Sequence, residues 1–140
     1  MCMKLKLFAM VALLAATTFM FTSCSKESQI TGKWRVTRAN SSEINVSNDK
    51  DETWTFKEKG KFSGYMGNLD VSGTWKVSGD ELTIESDDKL YIEGAYFNAI
   101  AEFTIDELKN KDMSLSGNLI LKNAEYGSLK YKVKYELEKK

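Results

Sequence analysis

Histidine and proline are absent from the 140 residues, cysteine occurs twice, and arginine only at Arg35 and Arg38. Without histidine the chain lacks the one side chain whose unperturbed pKa lies near neutrality, and with it the usual general base, proton shuttle and imidazole metal ligand. Any enzymatic step would fall to carboxylates, lysine or tyrosine, and no nucleophile stands beside a base in the sequence. The chain therefore reads as a non-enzyme with no catalytic residue, no metal and no cofactor. Twenty basic residues balance twenty acidic ones, giving a net charge of zero. A phosphate-binding face needs an excess of cations, so a dedicated nucleic-acid binder is excluded. The lack of proline also means that no strand edge is blunted by that residue.

What is present begins with a short positive start, Lys4 and Lys6, followed by an uncharged run over residues 7–21. A helix that spans a bilayer needs about twenty apolar residues, and Thr17 and Thr18 weaken a run that is already short, so residues 1–23 read as a signal peptide. The tetrad Phe21-Thr22-Ser23-Cys24 resembles a bacterial lipobox, although Phe21 stands where leucine is more usual. That resemblance implies a diacylglyceryl and palmitate-type acyl anchor on Cys24. The pattern alone also fits an ordinary small-residue cleavage site with an incidental cysteine. Cys2 lies in the discarded segment, so no disulfide forms in the mature chain, and with no histidine to activate it the Cys24 thiol is better explained as an anchor than as a nucleophile. Ser25 after the cysteine resembles outer-membrane lipoproteins. The expected location is the cell envelope, at the outer membrane, facing the periplasm or the surface. Residues 24–31 are the lipidated cysteine and a short tether, whose seven residues 25–31 reach at most about 25 Å when extended, holding a slightly acidic body of residues 32–140 near the membrane.

Beyond Thr31 apolar residues recur at every second position. Tyr131, Val133, Tyr135 and Leu137 alternate with Lys130, Lys132, Lys134 and Glu136, a spacing that a helix would scatter around its circumference. Trp34 with Val36, Trp54 with Phe56, Leu69 to Val77, Leu82 with Ile84, Phe103 with Ile105, and Met113 with Leu115 repeat the pattern. Turn signals separate the runs: Lys59-Gly60, Gly67-Asn68, Gly79-Asp80, Asn110-Lys111-Asp112 and residues 123–128. Eight antiparallel strands are predicted near 33–38, 52–57, 61–66, 69–77, 81–85, 97–106, 112–122 and 128–138. A ribbon with one greasy face and no blunted edges must close, so the fold class is all-β, an eight-stranded antiparallel meander barrel. Residues 39–50 are polar and read as a loop over one end. Residues 89–98 lack clean alternation and are an irregular strand, a short helix or a flap, with Tyr91 and Tyr96 as candidate contact residues.

Gly32-Lys33-Trp34, Trp54-Thr55-Phe56 before a Lys-Gly-Lys turn, Gly73-Thr74-Trp75-Lys76-Val77, Leu82-Thr83-Ile84, and Phe103 to Leu108 leading into Met113-Ser114-Leu115 together resemble the lipocalin-like domains of small bacterial lipoproteins. The resemblance runs from about Ile30 to Lys139. It implies a barrel with an interior site for a small apolar ligand, and a cation of a late strand over the first-strand tryptophan. Lipocalins usually supply an arginine there. Neither arginine of this chain lies in that region, which leaves Lys130 or Lys134 for the role.

The inward set is Trp34, Trp54, Phe56, Phe62, Trp75, Phe103, Tyr131 and Tyr135. These rings either fill the barrel as a core or line a ligand pocket. Gly64, Gly73 and Gly117 share their parity and mark either hollows or bends. Asn48, Asp49, Asp51 and Glu52, and separately Asp87-Asp88, gather oxygen ligands, but neither group has the spacing of a calcium loop and both read as solvated acidic turns. Asp80, Glu81 and Asp106 cannot be placed across a cleft from one another by sequence, and the lysine row of the last strand reads as a wet outer face. Two functions compete. One is a membrane-tethered carrier of a small hydrophobic ligand; the other is a protein-binding or inhibitory surface lipoprotein with a filled core.

Overall fold

The computed structural model describes residues 25–140, so the expected signal peptide over residues 1–23 and the expected anchor at Cys24 lie outside the described residues. The described chain divides after Ile30. The N-terminal part holds a short helix, α1 (Lys26–Ile30), started by Ser25, whose Oγ accepts the Ser28 amide at 3.4 Å. The residues expected to form a tether are thus helical over this stretch, which shortens their reach relative to an extended chain.

The second part, from Thr31 onward, is a closed antiparallel barrel. Its strands are β1 (Gly32–Asn40), β2 (Thr53–Phe56), β3 (Lys61–Met66), β4 (Leu69–Ser78), β5 (Glu81–Ser86), β6 (Leu90–Ile92), β7 (Ala95–Leu108), β8 (Asp112–Asn123) and β9 (Gly127–Lys139). β1 to β5 pair consecutively, β5 pairs with β7, β7 with β8, β8 with β9, and β9 returns to β1, so eight strands close the ring. Closure leaves no long edge to aggregate, which is how the chain dispenses with proline. The ninth strand, β6, lies in the segment without clean alternation. It forms a small hairpin on β7, Tyr91 opposite Tyr96, turned by Glu93 and Gly94 at φ 48° and 87°.

The alternation seen in sequence is the alternation of burial. Along β9, Val133, Tyr135 and Leu137 are buried while Lys132, Lys134 and Glu136 face water. Bulges interrupt β1 between Val36 and Arg38 and β7 between Ile105 and Glu107. Loops 41–52, 67–68, 87–94 and 124–126 gather at one end of the barrel, the loop end; turns 57–60, 79–80 and 109–111 lie at the other.

Candidate functional site

The interior is built from the rings of facing strands. Trp54 stacks on Phe103 at 6.1 Å between centroids, meets Phe62 edge-on at 5.9 Å, and lies 4.8 Å from Tyr135. Phe56 continues the cluster to Phe62 at 5.1 Å and to Trp75 at 5.3 Å. Such pairs each add about 0.5–1.5 kcal/mol beyond the area they bury. The indole N–H groups are satisfied at the wall, Trp54 Nε1 donating to the Tyr65 carbonyl at 2.8 Å and Trp75 Nε1 to that of Lys57 at 2.9 Å. Trp34 is fully buried opposite Trp54 in the β1–β2 register. Seven of the eight rings expected inside are therefore buried; Tyr131 is half-buried towards the loop end. Gly64 leaves no hollow, because a methyl group there would come within 2.8 Å of the Phe62 ring and 2.9 Å of the Trp54 ring.

Among the described residues an interior void of about 20 Å³ lies near the loop end, against Met66, Leu69, Val71, Ile84, Ala101 and Leu119. Ligand pockets are usually about 300–1,000 Å³. Beyond this void the inward positions are still apolar, with Leu121 and Tyr131 half-buried and Leu129 exposed, so the mouth is a shallow greasy funnel over a packed core.

The cation over the first tryptophan is Lys139, not Lys130 or Lys134. Its Nζ lies 5.3 Å from the Trp34 ring centroid, within the range in which an ammonium is drawn to an indole face. Burial lowers the Lys139 pKa from the ordinary lysine value. Lys130 and Lys134 stand on the wet outer wall. The difference is one of register. The β9 residue facing Trp34 is fixed by the β1–β9 seam, and Trp34 pairs with Lys139.

Asp49 departs furthest from expectation. It belongs to the polar loop 41–52, yet it is fully buried. Its carboxylate accepts the amides of Gly67 at 2.6 Å and Asn68 at 2.9 Å and the phenol of Tyr135 at 2.6 Å. The carboxylate is thus a latch that ties loop 41–52 to the β3–β4 turn and to β9. It is neither a solvated turn residue nor a calcium ligand. Asp51, beside it, pairs with Arg35 at 2.9 Å in the open, and Asn48, Glu52, Asp87 and Asp88 are exposed. Among the described residues no group of three or more potential ligands is arranged for a metal. Asp80, Glu81 and Asp106 are all exposed and line no cleft of the interior. No periodicity marks Asp49. The available signal is the apolar pair Ile44 and Val46 in the otherwise polar loop, of which Val46 is buried and turns the loop inward.

Burial pushes the Tyr135 phenol well above the ordinary tyrosine range, and the negative charge and hydrogen bond of Asp49 push it further. In the folded state the phenol keeps its proton where an unfolded chain would lose it. That stability is complete below about pH 10 and is lost as pH rises above it, by about 1.4 kcal/mol per pH unit for one proton. Urea unfolding should therefore weaken from pH 10 upward, and Tyr135→Phe should flatten that slope. An unchanged slope in the variant would place the alkaline sensitivity elsewhere.

The exposed aromatic residues gather at the loop end. Tyr91 and Tyr96 meet in a tilted pair with centroids 5.0 Å apart on the β6–β7 hairpin, 65 % and 60 % exposed, and Tyr126 lies on the β8–β9 turn. The Asn123 amide donates to the Tyr96 carbonyl at 2.9 Å and joins the hairpin to the end of β8.

A closed eight-stranded antiparallel barrel with an aromatic core and one loop-bearing mouth defines an up-and-down barrel. The profile of the lipocalin-like domain matches residues 30–115, more than half of the chain, and the chain belongs to that family. Neither the curated proteins nor the solved structures give a match. Lipocalin-like proteins are generally binding proteins and not enzymes. The matched span ends within β8, but β8 and β9 complete the ring to β1.

Proposed function

We propose that this chain is a lipid-anchored binding protein of the cell envelope whose barrel is a filled scaffold and whose partner is met on the exterior. The observation that carries this reading is the interior: seven buried rings leave a void of about 20 Å³, an order of magnitude below the space a carried ligand needs. A protein-binding or inhibitory role fits such a scaffold better than carriage. A second reading, a short apolar group held at the mouth, is favoured by the inward-pointing Leu121, Leu129 and Tyr131 above the core. Titration of the protein with anilinonaphthalene sulfonate separates the two. The filled scaffold is expected to give no saturable fluorescence, and saturable binding that Leu121→Asp abolishes would replace it with the mouth reading. Native mass spectrometry of protein from its own host adds a second readout, because a retained small molecule would count against the exterior role.

Attachment through Cys24 rests on the Phe-Thr-Ser-Cys tetrad behind an uncharged run. Cys24→Ala is expected to move the protein from the membrane fraction to the soluble one. Continued sedimentation with membranes would rule out the lipid anchor.

A further inference from the structure

Outside the barrel, where β1 leaves the β9 edge, a groove of about 580 Å³ runs across β7, β8 and β9. Register fixes its walls: Thr104, Ser116 and Lys134 form one row across the three strands, and Asn118 stands beside Lys132 in the next. Asn40, paired with Lys134, closes the side. The loop behind it is pinned, because Ser41 Oγ donates to the Lys132 carbonyl at 2.6 Å and a Glu43 carboxylate oxygen accepts the Lys132 amide at 2.6 Å.

The chemistry of this groove is one-sided. No carboxylate lines it. The ion pairs of the barrel surface, Arg35–Asp51, Arg38–Glu136 and Lys109–Glu107, leave Lys130, Lys132 and Lys134 unpaired among the described residues. Alternate residues of a strand stand about 6.5–7 Å apart on one face, so the ammonium groups of Lys132 and Lys134 form a positive rail along the groove, and Lys130 extends it beyond the groove beside Ile120. Glu102 lies in register with Asn118, at the far edge from that rail. Facing the rail are hydroxyls and carboxamides, which both donate and accept. The walls hold no aromatic ring on which a nucleic-acid base would stack. Val133 is buried and Gly117 has no side chain, so the apolar surface of the walls comes chiefly from the carbon atoms of polar residues.

We infer that this groove binds an acidic, hydroxyl-rich glycan, with Lys132 and Lys134 taking its anionic groups and Ser116, Asn118 and Thr104 its hydroxyls. The inference rests on the exterior-binding reading and gives it a ligand class. The volume lies within the range of small-molecule sites, and the charge is complementary to uronate, sulfate or phosphate groups.

The test uses the full chain in detergent with three probes: polygalacturonate, neutral dextran, and polyglutamate as an acidic peptide. Polygalacturonate is expected to bind at least about tenfold more tightly than either of the others and to weaken with salt. Lys132→Glu/Lys134→Glu should lower its affinity by about tenfold or more, and Asn118→Ala, which leaves the charge unchanged, by about threefold with no effect on residual polyglutamate binding. Should the charge-reversed variant fail to fold, Lys132→Gln/Lys134→Gln carries the same readout. Equal affinity for polyglutamate would mean charge alone and an acidic protein partner; equal affinity for dextran, no binding, or indifference to the lysine variants would each overturn the inference. A dye that saturates the mouth would overturn the filled-scaffold reading yet leave the polygalacturonate result standing, so the two failures are distinct.

Discussion

Asp49→Ala is expected to lower the unfolding free energy by about 3–5 kcal/mol, a large part of the roughly 5–15 kcal/mol that holds a domain of this size. The Asp49 side chain is fully buried, and its removal strands the Asn68 amide and the Tyr135 phenol and leaves the Gly67 amide only its longer bond to the Tyr135 oxygen at 3.3 Å. Each buried donor left without an acceptor costs about 1–3 kcal/mol. The latch also holds the loop over the barrel end, so the loss should appear in hydrogen exchange as earlier opening of residues 41–52 and of the β3–β4 turn. Asp49→Asn keeps the shape and one acceptor but turns an amide group towards a donor, and should cost about half as much. Asp51→Ala is the control. It removes the Arg35–Asp51 pair, whose side chains are 42 % and 63 % exposed, and an ion pair so exposed contributes little, about 0–1 kcal/mol. If the two alanine variants unfold at the same urea concentration, Asp49 is no latch.

The contrast between these neighbours shows where the sequence is legible and where it stops. Alternation is a local property, and it was enough to place eight strands, because burial follows parity along each one: Val133, Tyr135 and Leu137 in, Lys132, Lys134 and Glu136 out. Turns were legible for a similar reason. Gly67-Asn68 adopts φ 62° and 63°, and Gly60 adopts 77°, conformations that glycine and asparagine tolerate, while Lys59 takes φ 66° without that tolerance. The barrel's closure followed from the lack of any blunted edge. What stayed hidden depends on pairing across long stretches of chain. Asp49 is acidic among acidic and polar neighbours, and its burial is set by the unpaired amides of a turn 18 residues away. Lys139 sits over Trp34 because of the register of the closing seam, which no local pattern encodes. The hairpin of β6 was illegible because Tyr91 and Tyr96 form a cross-strand pair in the open, so hydrophobicity there does not report burial. The lysine row was correctly read as an outer face. That it borders a groove lined with hydroxyls and amides requires β7 and β8 beside it.

Gly73→Ala and Gly117→Ala are expected to be as damaging as loss of the latch, about 3 kcal/mol or more, and to act through the backbone. A methyl group on Gly73 would lie 1.8 Å from the Glu85 carbonyl oxygen of β5, and one on Gly117 would lie 2.0 Å from that of Glu102 and 2.8 Å from the Phe103 Cα of β7. The clashing atoms are main chain, so no rotamer change relieves them and the strands must part. At both positions the backbone of the neighbouring strand comes into the space a side chain would take. Each is also the register partner of a large ring, Gly73 of Phe62 and Gly117 of Phe103. The missing side chain lets a neighbouring strand approach while the ring beside it fills the interior, so the same two residues account for a small barrel and for its lack of a cavity. Gly79→Ala provides the comparison. Gly79 has φ +60° with nothing within 4 Å of an added methyl group, so only the cost of left-handed backbone, about 1 kcal/mol, applies. Urea midpoints should rank Gly79→Ala well above Gly73→Ala and Gly117→Ala. Equal midpoints would mean that the wall yields at these glycines. A wall that yields there could open room for an apolar ligand, and the filled scaffold would lose its physical basis.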